Sequence, residues 1–295
     1  MKITFLGTSA MSPTADRNHS GVLLSYKSEN ILIDCGENIQ RQLRHIGFSP
    51  SKLTKLLISH WHGDHSLGIP GLIQYLGANN YEKTFEIYGP KGSKQFMKKI
   101  ISSFLLQRKI DFVVKEVSGK FFENQDFILE AVQVKHSAPC LAFSFIEKNK
   151  RRMNLGYLKK FKLTKNPLLG KLQKGKNVVY KGKKINVRDA TIVVPGKKVT
   201  YITDTSLAPS CVRIAKKADL LICESTFSSE LKEKAKEYYH LTSEDAAQIA
   251  KKAGVGKLFL THFSQRYKDV SPLEREAKKI FKNTKAAEDF LSINL

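Results

Sequence analysis

The sequence predicts an α/β protein, and three observations lead to that class. Short apolar runs alternate along the 295 residues with segments whose apolar residues recur at helical spacing. Several apolar runs end directly at a histidine or a carboxylate, which is where α/β folds gather functional groups. With 41% hydrophobic residues and no break in composition, the chain can bury one large core. We therefore expect a single domain over residues 1–295 with one insertion.

The expected elements follow in chain order. A first strand, residues 2–6, runs into a turn at Gly7. Further apolar runs predict strands at residues 53–58, 85–88, 127–134, 199–202, 220–223 and 257–261. Helical spacing predicts helices at residues 39–45, 67–76, 93–106, 212–217, 243–252 and 273–282.

The cysteines and the hydropathy favour a cytoplasmic protein. The four cysteines, Cys35, Cys140, Cys211 and Cys223, show neither CxxC spacing nor the density of a disulfide scaffold. We also find no apolar stretch long enough for a signal peptide or a membrane span. These features predict reduced thiols and no association with a membrane.

The chain is strongly basic. It has 50 Lys and Arg against 27 Asp and Glu, a formal net charge of +23. Such an excess suits a polyanionic partner such as nucleic acid. A lysine-rich proteome would give the same balance, and basic surfaces are often plain solvated faces.

The basic residues are concentrated in one segment. Residues 148–188 include no acidic residue and fifteen basic ones, and Pro167 with four glycines punctuates the segment too often for a core element. We predict an inserted flexible arm over residues 148–190. A disordered loop is the alternative, but the segment is too apolar for pure disorder. Lysines spaced along an extended hairpin could each neutralise an RNA phosphate, and the contacts that we expect are Lys159, Lys160, Lys171 and Lys174.

A cluster of metal-binding side chains follows the apolar run at residues 53–58. Zinc prefers imidazole and carboxylate ligands, and hydrolytic sites leave a position open for water. Seven candidate donors are too many for one zinc ion and suit two: His60, His62, Asp64, His65, His136, Asp204 and His262. Taken singly, His136 or His262 could be a structural histidine, and Asp204 could cap a helix. The cluster of four at residues 60–65 favours the metal interpretation for all of them.

These motifs resemble the metallo-β-lactamase superfamily and, within it, the ribonuclease Z family of tRNA 3′-end processing endonucleases. The segment His60-Trp61-His62-Gly63-Asp64-His65 is shared by many hydrolases. More specific matches lie at residues 201–205, 224–227, 240–242 and 261–267, together with the basic arm. The resemblance implies an αββα sandwich with two zinc ions per subunit, bound at one edge between the two sheets.

The resemblance also implies the role of each site residue. His60, His62 and His136 would hold one zinc ion, Asp64, His65 and His262 the other, and Asp204 would bridge them. The arm would correspond to the family's exosite, which grips the elbow of precursor tRNA within a homodimer. In the family that arm carries a Gly-Pro motif, whereas this chain has Asn166-Pro167-Leu168-Leu169-Gly170.

The implied chemistry is hydrolysis of a phosphodiester. Two divalent cations would lower the pKa of a water towards about 7 and neutralise phosphoryl charge. By resemblance, His240 is the proton donor to the leaving 3′ oxygen, oriented by Glu224, and Asp64 could accept a proton from the attacking water. The products would be a tRNA 3′-hydroxyl and a trailer 5′-phosphate. Arg17 could grip a phosphate near the cut.

Two other functions remain open at this point. A broad hydrolase of small phosphodiesters or thioesters would share the metal motif and have no use for the basic arm. A catalytically silent RNA-binding protein on the same scaffold would be expected to lose metal ligands, and this chain retains the complete set.

Overall fold

The fold is taken from a computed structural model, which describes residues 1–105 and 110–295. The strands in chain order are β1 (Lys2–Gly7), β2 (Ser9–Ala10), β3 (Gly21–Tyr26), β4 (Glu29–Ile33), β5 (Lys55–Leu57), β6 (Phe85–Gly89), β7 (Phe112–Glu116), β8 (Gly119–Glu123), β9 (Phe127–Val134), β10 (Cys140–Glu147), β11 (Lys150–Met153), β12 (Val178–Tyr180), β13 (Lys183–Ile185), β14 (Thr191–Val194), β15 (Lys198–Ile202), β16 (Leu220–Glu224), β17 (Lys257–Thr261), β18 (Phe263–Ser264), β19 (Thr284–Ala286) and β20 (Ser292–Asn294). The helices are α1 (Ile39–His45), α2 (Gly63–Ser66), α3 (Ile69–Ala78), α4 (Ser93–Ser102), α5 (Leu155–Lys159), α6 (Leu168–Gln173), α7 (Val187–Ala190), α8 (Pro209–Ala215), α9 (Lys232–Glu237), α10 (Ser243–Ala253) and α11 (Ser271–Ile280), with short 3₁₀ turns at Pro50–Lys52 and Ser229–Leu231.

The predicted strands and helices are present, most with ends shifted by one to three residues. The helix expected at 212–217 begins earlier, at Pro209, because proline fits the first turn of a helix. The helix expected at 93–106 ends at Ser102, and its expected last residue, Leu106, lies outside the described residues. The hairpin of β3 and β4 was not predicted.

The described chain divides into two units. The first comprises residues 1–122, 129–145 and 198–295, and the second comprises residues 123–128 and 146–197.

Two sheets form the centre of the first unit. One has the strand order β20-β1-β3-β4-β5-β6-β7, and the other has the order β19-β17-β16-β15-β10-β9-β8. Strands β4 to β7 pair in parallel, as do β15, β16, β17 and β19. Parallel neighbours bring their carboxyl ends to the same edge, so each sheet presents one edge where the following loops meet.

Helices cover the outer faces of these sheets. Leu43 of α1, Leu72 of α3 and Met97 of α4 belong to the apolar cluster of the first sheet. Helices α8, α10 and α11 pack in the cluster of the second sheet. Aromatic contacts join the two sheets, since the rings of Phe5 and Phe259 lie 5.8 Å apart. The predicted αββα sandwich is therefore confirmed.

The second unit has its own small core. Buried apolar side chains from all three of its helices and from its short strands make up this cluster, which includes Leu158, Leu163, Leu172, Val178, Ile185 and Ala190. Strands β11 and β14 pair antiparallel, and β12 and β13 form a hairpin. The apolar residues between the lysines therefore fold these residues around a core. No helix within residues 1–105 and 110–295 combines the length and apolar character needed to cross a membrane.

Candidate active site

Four site residues stand at the carboxyl ends of strands, as predicted. His60 follows β5, Asp204 follows β15, Glu224 ends β16 and His262 follows β17. Strand β18 then pairs in parallel with β2, which draws the first loop of the chain to this edge. In that loop the backbone N–H of Met11 donates to Asp64 Oδ2 at 2.8 Å.

The seven predicted donors come together in two overlapping groups. Within each group the ligand atoms all lie within 4.8 Å of one another, and Asp204 belongs to both. The first group is His60, His62, His136 and Asp204, and the second is Asp64, His65, Asp204 and His262. A third group, Glu224, His240 and His262, adjoins the second.

Hydrogen bonds from Ser59 and Asp34 fix the rings of His60 and His65. Asp34 accepts from His65 Nδ1 at 2.8 Å and from Ser59 Oγ at 2.8 Å. Because the Ser59 hydroxyl donates its proton to Asp34, its oxygen must accept from His60 Nδ1, 3.0 Å away. Both rings therefore hold their Nδ1 proton outward and direct Nε2 into the cluster.

The rings of His136 and His262 are fixed in the same way. His136 Nδ1 donates to the carbonyl oxygen of Tyr239 at 3.2 Å. Thr226 Oγ1 donates to Glu224 and so accepts from His262 Nδ1 at 3.0 Å. Such outer partners are what orient histidine ligands around a metal ion.

The inward nitrogens fit a metal-binding site. His65 Nε2 lies 3.1 Å from His262 Nε2, and His136 Nε2 lies 3.2 Å from His62 Nδ1. Among the described residues, buried His60 Nε2 has no hydrogen-bond partner. Converging imidazole nitrogens beside a shared carboxylate form the type of donor set that binds divalent cations.

The electrostatics agree with this interpretation. Burial lowers the pKa of His60 and of His136, which keeps both rings neutral as metal ligands. Burial would raise the pKa of Asp204, but the surrounding histidines, His262 foremost, hold it well below its usual range. For His65, burial is outweighed by Asp64, Asp204 and Asp34, which raise its pKa well above its usual range. A metal cation would supply the same positive charge and displace that proton.

His240 and Glu224 form a buried pair beside the cluster. His240 Nδ1 lies 3.1 Å from Glu224 Oε2, and the Glu224 carboxylate also accepts from the backbone N–H of Thr205 at 2.7 Å. Burial alone would lower the pKa of His240, but Glu224 and Asp204 raise it to about 9. The ring is therefore protonated at neutral pH. Glu224 is fully buried, so the alternative of a solvated carboxylate at the strand end does not apply.

A capped helix places His240. It precedes α10, where Thr242 and Asp245 form a reciprocal capping box. The backbone N–H of His240 donates to the carbonyl oxygen of Ala235 in α9 at 2.8 Å. The ring of His240 also lies 5.5 Å from that of His136. The loop is thus held at both ends, with the imidazole directed at the metal cluster.

Asp34 is the main site residue whose role the sequence did not reveal. Besides His65 and Ser59 Oγ, its carboxylate accepts from the Ser59 N–H at 2.7 Å and from Tyr201 OH at 2.9 Å. It is fully buried and has a left-handed backbone with φ of 59°. The available signal was its position directly after the apolar run of β4. The left-handed conformation, uncommon outside glycine, recurs around the site at Met11, Tyr239 and His262.

Arg17 is not among the clustered donors. Its Nη2 donates to the carbonyl oxygen of Tyr267 at 2.7 Å, so it ties the loop of residues 13–18 to the segment after His262. The carboxylate of Asp289 supports the same loop by accepting from the backbone N–H of Asn18 at 2.7 Å. A role of Arg17 in phosphate binding stays a prediction.

The four predicted RNA-binding lysines lie in the second unit, and all are exposed. Lys159 ends α5 and Lys160 follows it, Lys171 lies within α6, and Lys174 follows α6. Their side chains can reach a ligand from solvent, and RNA contact stays a prediction.

Comparison with known proteins places the chain in a family. The model of the "Beta-lactamase superfamily domain" matches residues 186–263, and that of "Anti-Pycsar protein Apyc1" matches residues 1–139. Ribonuclease Z of Methanothermobacter thermautotrophicus is 37% identical over 298 residues, covering 100% of this chain and 97% of the relative. Ribonuclease Z of Bacillus velezensis is 38% identical, covering 100% and 99%.

A solved structure agrees with these relatives. Human tRNase Z, short form, superimposes with a TM-score of 0.72 at 28% identity, covering 100% of this chain and 99% of that one. The full-length identity to named ribonucleases, together with the sandwich and its histidine and aspartate cluster, decides the assignment. The chain belongs to the ribonuclease Z family of the metallo-β-lactamase superfamily.

Proposed function

We propose that the chain is a zinc-dependent endoribonuclease that removes the 3′ trailer from precursor tRNA. It would leave a 3′-hydroxyl on the tRNA and a 5′-phosphate on the trailer. The observation that carries the proposal is the presence of two metal-binding groups with a buried His240–Glu224 pair beside them. Full-length relatives named ribonuclease Z support the choice of substrate.

The metal ligands are assigned from the two groups around Asp204. One zinc ion would be held by His60, His62 and His136, the other by Asp64, His65 and His262, with Asp204 shared between them. When bound, two such cations lower the pKa of a water and neutralise charge on the phosphoryl oxygens. The rings of His60, His65, His136 and His262 are already oriented by their outer hydrogen bonds, which supports ligand roles for them.

His240 is the group that we assign to protonate the leaving 3′ oxygen. An alkoxide is a poor leaving group, and a positioned acid can accelerate its departure by about 10² to 10⁴-fold. Glu224 would orient the ring through Nδ1, leaving Nε2 to donate. The raised pKa of His240 supports this role, since the proton is present at neutral pH.

Asp64 has two possible roles, and its environment favours one. Burial would raise its pKa, but His65 and His262 hold it well below its usual range. A carboxylate with so low a pKa is a weak base, so ligation is favoured over proton transfer. The Met11 N–H fixes Asp64 Oδ2 in place, as a ligand role would require.

The second unit would be the inserted arm that binds tRNA. Its run of fifteen basic and no acidic residues between positions 148 and 188 supports contact with phosphates. Lys159, Lys160, Lys171 and Lys174 would make such contacts, and Arg17 would add one near the cut. We also propose a homodimer, by resemblance to the family. A cytoplasmic location is supported by the free thiols of all four cysteines in the described residues.

The direct test is incubation of the zinc-loaded protein with one 3′-extended precursor tRNA, followed by mapping of both ends at the cut. We expect a single cleavage with a tRNA 3′-hydroxyl and a trailer 5′-phosphate, abolished by chelation and restored by zinc. Two zinc ions per subunit are expected by elemental analysis. Full cleavage under exhaustive chelation would contradict the proposal.

A broad hydrolase of small phosphodiesters is the alternative, and the second unit distinguishes the two. Deleting residues 155–184 should abolish precursor cleavage and spare turnover of a small phosphodiester. A milder variant changes four exposed lysines to glutamine: Lys159, Lys160, Lys171 and Lys174. Its matched control changes four exposed lysines of the first unit: Lys52, Lys279, Lys282 and Lys285.

The salt dependence gives the sharper readout. Each lost phosphate contact should reduce the slope of log affinity against log salt by about 0.7 to 0.9. We expect this reduction for the second-unit variant and not for the control. Equal slopes in both variants and the parent would favour the small-substrate function.

A further inference from the structure

An exposed aromatic stack lies beside the metal cluster. The rings of Trp61 and Phe96 are nearly parallel, with centroids 5.4 Å apart and an angle of 13°. Trp61 Nε1 donates to Ser93 Oγ at 2.8 Å, which fixes the indole. Phe96 keeps 47% of its surface exposed. A fixed aromatic pair with one exposed member suits the stacking of a flat ligand.

The stack adjoins the proposed metal ligands. Trp61 lies between His60 and His62 in the loop after β5, and Phe96 lies in α4, which follows β6. Strands β5 and β6 are parallel neighbours, so both loops leave the same edge of the first sheet. The side chain of Trp61 thus extends from the metal-binding loop towards α4.

The surface around Phe96 is basic. No acidic residue occurs in the sequence between Glu86 and Asp111, and Lys91, Lys94, Lys98 and Lys99 are exposed along or just before α4. Glu116 approaches from β7, where it accepts from the backbone N–H of Lys94 at 3.2 Å. Aromatic rings among lysines are how proteins bind single-stranded nucleic acid, with bases stacked and phosphates neutralised.

The positions of the catalytic groups indicate which part of the substrate RNA would lie beside Trp61 and Phe96. This step rests on the proposed function. His240 would protonate the 3′ oxygen of the tRNA body, so that body must end at His240. His240 follows strands of the second sheet, whereas Trp61 and Phe96 follow strands of the first. The ring of His136 lies 5.5 Å from that of His240 and 5.0 Å from that of His62, the residue after Trp61. The RNA on the 3′ side of the cleaved bond would therefore extend from the metal cluster towards Trp61.

We propose that the Trp61–Phe96 pair is a stacking platform for a base of the single-stranded 3′ trailer. The lysines of α4 would contact the phosphates that follow the cut. The platform would contribute affinity without strict sequence preference, because every base presents a stacking face.

Trp61 is the only tryptophan in the chain, so its fluorescence reports on this platform directly. The first experiment titrates the zinc-loaded protein with a 5′-phosphorylated RNA trinucleotide, which mimics the released trailer. We expect quenching that saturates. An abasic trinucleotide of the same length should bind about 5- to 150-fold more weakly, the affinity carried by one stacked base.

The second experiment compares Phe96→Ala with Phe96→Tyr and with Phe104→Ala. Phe104 is 52% exposed just beyond α4 and serves as the matched control. For a precursor with a three-nucleotide trailer, Phe96→Ala should raise KM by about 5- to 150-fold with kcat nearly unchanged. Phe96→Tyr should restore KM, because its ring can also stack, and Phe104→Ala should match the parent.

The outcomes separate this inference from the proposed function. Failure of the parent protein to cut any precursor tRNA would refute the function. A parent that cuts normally, while Phe96→Ala weakens normal and abasic trailers equally, would overturn the platform. Quenching by an acceptor-stem hairpin with a mature 3′ end, and not by the trinucleotide, would overturn its assignment to the trailer.

Discussion

Replacing Asp34 by asparagine tests whether the outer hydrogen bonds hold the metal site together. Asparagine has almost the same shape and tolerates the left-handed backbone that Asp34 adopts, so the change acts on the side chain alone. The amide nitrogen that the change introduces would replace one carboxylate oxygen of Asp34, and both of those oxygens accept hydrogen bonds. If it replaces Oδ2, it meets Ser59 Oγ, His65 Nδ1 and Tyr201 OH, all within 2.9 Å of that oxygen.

The expected cost follows from these three contacts. A hydrogen bond to a charged group contributes about 1.5–3 kcal/mol, so three could contribute about 4.5–9 kcal/mol. Such contributions are not additive, and removing one partner of a buried pair typically costs about 3–5 kcal/mol. We expect that loss in the free energy of unfolding, measured with urea. Affinity for zinc should fall about 10- to 100-fold, measured by competition with a chelator.

Tyr201→Phe is the control, because it removes one donor and leaves the others on Asp34. It should cost about 1.5–3 kcal/mol, less than Asp34→Asn, and change zinc affinity much less. If Asp34→Asn binds zinc as tightly as the parent protein, the outer hydrogen bonds do not position the ligands, and the reasoning fails.

Three further predictions concern the proton donor, a buried lysine and a partly buried aspartate. His240→Ala should lower kcat on precursor tRNA by about 10² to 10⁴-fold, and spare a p-nitrophenyl phosphodiester, whose leaving group needs no proton. If His240→Ala lowered kcat equally on both substrates, the acid role would be refuted. In the parent, kcat on precursor tRNA should fall as the pH rises through the His240 pKa of about 9. The Lys55 side chain is 5% exposed, and its Nζ lies 2.9 Å from Glu29 and 3.2 Å from Glu86. Lys55→Met should therefore lower the free energy of unfolding in urea by about 3–5 kcal/mol. A stability equal to the parent's would contradict this prediction. Burial raises the pKa of Asp289 from 3.8 to about 6, so the folded state favours the protonated carboxyl. This group therefore adds about 3 kcal/mol to the free energy of unfolding below about pH 4, and that contribution is lost as the pH rises through 6. The difference in unfolding free energy between the parent and Asp289→Asn should follow that curve, and a flat difference would show that this carboxyl is not responsible.

The sequence could predict the parts of the fold that depend on local pattern. Apolar runs marked the central strands, and the polar residue after each run marked the functional edge. Asp204, Glu224 and His262 were predictable because the carboxyl ends of neighbouring parallel strands converge. His60 was predictable in the same way, since β5 pairs in parallel with β4 and β6 in the other sheet. The division of the donors into two metal groups came from family resemblance, since spacing alone cannot show which rings face each other.

The remaining features depend on contacts between distant segments. Asp34 bonds to Ser59 across 25 positions and to Tyr201 across 167, so its position after the apolar run of β4 does not reveal its partners. The core of the second unit could not be predicted from composition, because fifteen basic residues dominate that segment. Leu158 and Leu172 nevertheless lie buried between them. The Trp61–Phe96 stack likewise depends on the pairing of β5 with β6.

The pairing of the first strand has a consequence for synthesis on the ribosome. Strand β1 is flanked by β3 on one side and by β20 on the other, with Ile3 opposite Ile293. A nascent chain can form the first neighbour early, but it exposes an open strand edge until the residues near position 293 leave the exit tunnel. Such edges promote aggregation, so translation pauses late in the message would leave the polypeptide most dependent on chaperones.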